Sequence, residues 1–134
     1  MPANIGRQGK FGNIKRGYYN INGVEYFFRS KWEANYALYL NFLIAEGKIK
    51  KWEYEKKVFV FDAIKFGIRS YRPDFGIYNI DDTIEYHEIK GYMDAKSKTK
   101  LKRIKKYYPD IKIVLIDSKY MKSLNKWSKL LGFF

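Results

Sequence analysis

Four residues in this chain have types and spacings suited to chemistry: Glu33, Asp74, Glu88 and Lys90. The chain has 14 Asp and Glu against 27 Lys and Arg, so each acid can be considered singly, and most fall in turns or at element ends. These three do not. Glu33 precedes Tyr36, Ala37 and Leu40 by three, four and seven positions, which places it on the inward stripe of a helix. Asp74 follows Pro73 inside a strand pattern, and Glu88 lies in "IEYHEIKG" (residues 84–91), which alternates like a strand. Alternation puts Tyr86, Glu88 and Lys90 on one face and His87 and Ile89 on the other. If the strands holding Asp74 and Glu88 pair through the turn "NIDD", the two carboxylates become cross-strand neighbours. Like charges that close need a raised pKa or a bound cation. Oxygen donors, no cysteine and one histidine suit a hard ion such as Mg²⁺, with Mn²⁺ as its substitute, and not zinc. Such an ion activates water for attack on phosphorus, and Lys90 beside it could hold that water or the phosphoryl group.

The elements that must position these residues are legible in outline. "YYNINGVEYFF" centres Asn22-Gly23 between alternating aromatic runs, a strong hairpin signal. Ser30 and Glu33 open a helix as a capping box, and Gly47 ends it after Glu46, with Tyr36, Leu40, Leu43 and Ile44 facing inward. "KKVFVFDAI", "IRSYRPDFGIYN" and "TIEYHEIKG" read as three consecutive strands, the second interrupted by Pro73. "MDAKSKTKLKRIKKYYP" reads as a helix with Leu101, Ile104 and Tyr108 inward. "IKIVLID" reads as a mid-sheet strand covered on both faces, and Tyr120, Leu124, Trp127 and Leu131 mark a final amphipathic helix. The expected fold is therefore α/β: a hairpin, then helix, three strands, helix, strand, helix. The helical crossover makes the last two strands parallel.

With the order Glu33, Asp74, Glu88, Lys90 in hand, "RPDF" followed fourteen positions after its aspartate by "EIK" resembles the PD-(D/E)XK nuclease superfamily, over roughly residues 30 to 117. "SKWEANYALYLNF" and "EIKGYMDAKSKTKLKRIKKYYP" are similar to phage-type endonuclease I and related Holliday junction resolvases. The resemblance implies a restriction-endonuclease-like mixed sheet flanked by helices. It also implies a metal held by Asp74, Glu88 and the main-chain carbonyl of Ile89, with Glu33 completing the site and Lys90 catalytic. The implied activity is metal-dependent hydrolysis of phosphodiester bonds in branched DNA, most simply four-way junctions, by a homodimer that makes two opposed cuts. The apolar "LLGFF" end and the front hairpin are candidate dimer surfaces.

Net charge is +13, which favours a polyanionic partner, DNA first. Residues 1–17 read as a flexible basic arm in which Arg7, Lys10, Lys15 and Arg16 suit phosphates, ahead of a single domain over residues 18–134. The crossover helix carries seven cations and no acid between Lys96 and Lys106, and Lys96, Lys98 and Lys100 in its first turns should lie beside the site. No apolar run approaches the roughly 18 residues of a membrane span and no signal peptide opens the chain, so no membrane is expected and the location is cytoplasmic, the host cytoplasm if the chain is phage-encoded. Without cysteine, disulfides and thiolate sites are excluded, and one histidine excludes two-histidine phosphodiesterase chemistry. Bland readings stand beside each assignment: Glu33 as a helix cap, Asp74 as a strand-entry acid, Glu88 and Lys90 as an exposed pair, and His87 as a satisfied core histidine. The rival functions are a nuclease of another DNA substrate, such as a nickase or transposon end-cutting subunit, and a non-catalytic basic DNA-binding module.

Overall fold

A computed structural model describes residues 15–134. Strands β1 (Gly17–Ile21) and β2 (Val24–Phe28) form the expected hairpin, with Asn22 and Gly23 both at positive φ, 52° and 83°, as a two-residue turn of this kind requires. Helix α1 (Lys31–Ala45) follows, its N-terminus capped by Ser30, whose side chain accepts from the Glu33 amide. Then come β3 (Ile49–Tyr54), β4 (Phe59–Val60), β5 (Ser70–Tyr71), β6 (Phe75–Asn79) and β7 (Ile84–Lys90). The chain closes with α2 (Ala95–Tyr107), β8 (Lys112–Asp117), α3 (Ser118–Leu124), a 3-10 turn at Asn125–Trp127 and α4 (Ser128–Leu131).

The main sheet has the order β3-β6-β7-β8, with β6 antiparallel to both β3 and β7, and β7 parallel to β8 through the α2 crossover. One face packs on α1 and α3. There Phe75, Ile77, Ile89 and Ile116 meet Tyr36, Leu40, Met121 and Leu124. The other face carries the β4–β5 ribbon and α2, joined by Phe59, Phe61, Tyr71, Tyr86 and Ile104. The mixed α/β class, the hairpin and the parallel β7–β8 pair are thus as the sequence predicts, and five details differ.

Strand β3 is absent from the sequence-based order. Its register shifts between Ile49 and Lys51, so Lys50 and Lys51 are both exposed between buried Ile49 and half-buried Trp52, and the bulge erases the period-two signal. "KKVFVFDAI" takes no place in the main sheet. Its alternation is real, with Phe59 and Phe61 buried and Val58 and Val60 outward, but only two residues pair, with β5. The stretch read as one strand across Pro73 is two, β5 and β6. Strand β8 is an edge strand, not a central one: it pairs with β7 alone, and Leu115 is exposed. The terminal helix is broken in three, and its buried stripe is Met121, Leu124 and Leu131 while Tyr120 and Trp127 face solvent. Asp117 caps α3 and Gly132, at φ 71°, ends α4, so local capping chemistry overrides the longer periodicity.

The core is aromatic. Phe75 is fully buried and its ring lies within 5.4–6.4 Å of the rings of Tyr54, Tyr36, Trp52 and Phe28. It joins α1, the hairpin and β3 directly behind Asp74. Phe75→Ala is expected to destabilise the fold by about 3–5 kcal/mol, measured as a lower urea midpoint.

Candidate functional site

The site forms where the β6–β7 ladder stops. Its last pair is Phe75 with His87, and continuing the register sets Asp74 against Glu88 and Pro73 against Ile89. Proline has no N–H, so Pro73 cannot donate a ladder bond to the Ile89 carbonyl. The Ile89 amide donates to a side chain, Asp74 Oδ2, at 2.8 Å, in a buried setting. A strand residue sends its N–H and C=O to the same edge, so the Ile89 carbonyl also lies on the Asp74 side. Residue pairs in register share a face, which brings the carboxylates of Asp74 and Glu88 together as the sequence predicts.

These groups line a cavity of about 410 Å³ with Arg29, Glu33, Glu55, Val58, Ser70, Arg72, Ile89, Lys90 and Lys100. Burial pushes Asp74 well above its ordinary carboxylate value, and the charges of Glu88 and Glu33 push it further, against the Ile89 hydrogen bond. Glu88 is also raised, by burial, although Lys90 and the hydroxyl of Tyr71 favour its ionised form. Tyr71 donates to Glu88 Oε1 at 3.1 Å, and Lys90 Nζ stands 3.8 Å from Glu88 Oε2. Glu33 reaches the same cavity from α1. It is both a cap and a site acid: its Oε1 accepts from the Arg29 amide at 2.9 Å and from the Tyr54 hydroxyl at 2.7 Å, which opposes the upward pull of burial.

Three residues were missed by sequence reasoning. Glu55 sits just beyond β3, its amide bonded to the Asp74 carbonyl at 2.8 Å, and it adopts φ 49°, a conformation uncommon for non-glycine residues and concentrated at functional sites. Arg29 pairs with both Glu55 oxygens, at 2.8 and 3.4 Å. Arg72 lines the cavity from the ribbon. Since β3 was hidden by its bulge, nothing in the sequence placed Glu55 near Asp74; the "RPDF" arginine was the one available signal.

Of the expected phosphate-binding cations, Lys100 lines the cavity, while Lys96 and Lys98 are exposed on α2 and do not. Lys15 and Arg16 are exposed ahead of β1, and Arg7 and Lys10 lie outside the described residues. His87 faces away from Glu88, as alternation predicts. Ionised Glu85 can only accept, so His87 Nε2 donates to it at 2.7 Å and Nδ1 accepts from Tyr36 at 2.7 Å. Burial lowers the His87 pKa against the pull of Glu85.

Among the described residues, no group of three or more His, Cys, Asp or Glu side chains is arranged to hold a metal ion. A hard divalent ion that keeps several waters needs only one or two carboxylates from the protein, and Asp74 and Glu88, with the adjacent Ile89 carbonyl, supply that donor set. Glu33, with Oε1 engaged by two donors, has Oε2 to offer.

A family model described as "Protein of unknown function (DUF1064)" matches residues 15–125, and the chain belongs to this family. No curated protein and no solved structure matches it. Among the described residues, no helix is long and apolar enough to cross a membrane.

The buried carboxylate pair predicts a pH signature. Asp74 holds its proton more tightly folded than unfolded, where its value is near 3.8, so between those two values the native state binds more protons and stability falls as pH rises. Asp74→Asn, which retains an oxygen for the Ile89 amide, is expected to raise the urea midpoint at pH 7 in metal-free buffer. The gain should shrink as pH falls toward 3.8. A lower midpoint for Asp74→Asn at pH 7 would contradict this account.

Proposed function

We propose that this chain is a Mg²⁺-dependent endodeoxyribonuclease of the PD-(D/E)XK type, acting on branched DNA such as a four-way junction. One observation carries the reading: buried Asp74 and half-buried Glu88 lie side by side at a broken strand end, with Lys90 beside Glu88 and three further cations, Arg29, Arg72 and Lys100, around the same cavity. A structural ion-pair network would balance the buried acids with direct partners; here Asp74 has an amide and three repelling carboxylates, Glu88, Glu33 and Glu55.

Asp74, Glu88 and the Ile89 carbonyl would hold the ion, and Mn²⁺ would serve in its place. Such an ion offsets phosphate charge and makes water more acidic. The rest is done by side chains. Lys90 offers three donors to the attacking water or a phosphoryl oxygen. Arg29, held by Glu55, and Arg72 and Lys100 can fix the phosphates flanking the reacting one, a charge-assisted interaction suited to guanidinium geometry. Tyr71 keeps Glu88 oriented. Two cuts in opposed strands call for a homodimer, and the two candidate surfaces adjoin: the ring of Tyr19 in the hairpin packs on Phe134 at 4.9 Å, with Tyr18, Phe27, Leu130 and Phe134 exposed nearby in sequence.

The test incubates the protein with Mg²⁺ and a labelled four-way junction, a nicked duplex and a plain duplex. The junction is expected to be cut fastest. Lys90→Ala should retain DNA binding and lose roughly 100- to 1,000-fold in cleavage rate, the usual effect of removing one transition-state donor. Glu88→Gln should abolish cleavage and also abolish the rise in thermal midpoint that saturating Mg²⁺ gives the wild type. Cleavage undiminished in Glu88→Gln would end the catalytic reading of this site, and no cleavage of any substrate by wild type would leave a basic DNA-binding module; equal cutting of plain duplex would end the junction preference and favour a nuclease of another DNA substrate.

A further inference from the structure

Phe66 is 86% exposed, the most exposed large apolar side chain among the described residues. It stands at the tip of the β4–β5 ribbon, whose base supplies Val58, Ser70 and Arg72 to the cavity. The turn is anchored on both sides. Phe61 is buried and its amide donates to the Arg69 carbonyl at 2.8 Å. Ile64 and Ile68 pack inward on either side of Phe66, and Gly67 makes the reversal at φ 74°. The ribbon lies along α2: Arg103 donates to the Ile68 carbonyl, Tyr108 donates to the Val60 carbonyl at 2.6 Å, and the Phe61 and Tyr107 rings are 5.7 Å apart. An apolar ring is thus presented outward by an anchored turn, between exposed Lys65 and Arg69 and beside the most cationic helix of the chain.

We propose that Phe66 is a wedge that stacks on a base opened at a branch or distortion in DNA, near the phosphate held in the cavity; this rests on the nuclease reading of that cavity. Aromatic rings take single bases of any sequence by stacking, and apolar wedges inserted at a base step kink the duplex. The flanking cations suit the backbone on either side. Phe66 is four residues from Ser70, at most ~13 Å of extended chain. That spans about four nucleotide steps at ~3.4 Å each from the ribbon's tip to the edge of the cavity, so the opened base should lie within several nucleotides of the cut. Such a contact selects DNA whose bases already open easily, and Phe66 would set substrate preference without touching the reacting phosphate.

The experiment uses four-way junctions carrying 2-aminopurine at single positions within that window, bound in EDTA so that no strand is cut. Wild type is expected to raise 2-aminopurine fluorescence at one or two positions, where a base loses a stacking neighbour in the strand, and Phe66→Ala to leave it flat; Phe66→Trp should keep the junction affinity of the wild type. Phe66→Ala should also lose roughly tenfold in junction affinity, the worth of stacking one base, with plain-duplex affinity held within about twofold. The same rise in Phe66→Ala, or none in wild type, overturns the wedge. So does a change of elution volume in Phe66→Ala, which would make Phe66 a contact between copies of the chain. The two readings separate: Mg²⁺-dependent cleavage without a fluorescence change removes the wedge and leaves the nuclease, whereas a Phe66-dependent rise without cleavage by wild type does the reverse.

Discussion

The site depends on one hydrogen bond, from the Ile89 amide to Asp74 Oδ2. An unbroken antiparallel ladder would satisfy that amide with a main-chain carbonyl. Here the strand pairing stops at Phe75 and His87, and the carboxylate of Asp74 takes over as the acceptor. The same substitution of side chain for main chain places the acid in the gap, against Glu88, with the Ile89 carbonyl on the shared edge. Ladder termination and site formation are therefore one event. Its energetic burden is plain: a nearly buried acid facing two others, all pulled toward protonation by their setting. Such local frustration persists only where the surroundings over-determine it.

The surroundings do. Behind Asp74, Phe75 is wedged among four aromatic rings. Beside it, Glu55 bonds the Asp74 carbonyl from the end of β3. Tyr54 and the Arg29 amide hold Glu33 so that α1 cannot withdraw it. On the same packed face the chain Glu85–His87–Tyr36 satisfies the polar groups of β7 that turn away from the cavity. Its members are fully partnered, as buried polar networks must be to add rigidity. The opposed duties of β7, a satisfied network on one face and an under-balanced cluster on the other, follow from its period of two.

The sequence shows that division clearly because it is local. Glu88 and Lys90 separate from His87 by alternation alone, Asn22-Gly23 dictates its turn, and Ser30 with Glu33 marks a helix start that proves also to be a site wall. What it hides is long-range or irregular. Lys50 and Lys51 conceal β3 because a bulge shifts the phase, and with β3 goes Glu55. Leu115 and its neighbours look like a central strand because helices cover parts of both faces, yet hydropathy carries no information about whether an edge is paired. Trp127 continues the spacing of a long helix, but Asp117 and Gly132 cap shorter pieces and Met121 replaces Tyr120 in the core. Asp74 with Glu88 is intermediate: the turn sets the register, and only Pro73 tells where the register ends.

Charge follows the same division of faces. The α1 side is closed by aromatic packing, whereas the side of α2 and the ribbon, which borders the cavity, exposes Lys65, Arg69 and most of the α2 lysines. A polyanion approaching the cavity would meet that side first, since unlike charges steer encounter over distances of about 10 Å at moderate salt. The ribbon joins this surface to the buried acids at a single polar link, Tyr71 to Glu88. Tyr71 is itself buried between Phe59, Phe61 and the sheet, so the ribbon cannot shift as a body without either repacking that small core or moving the hydroxyl from the carboxylate. Contact with the outer surface is thereby tied to the geometry of Glu88 through packing that close interiors transmit and do not absorb.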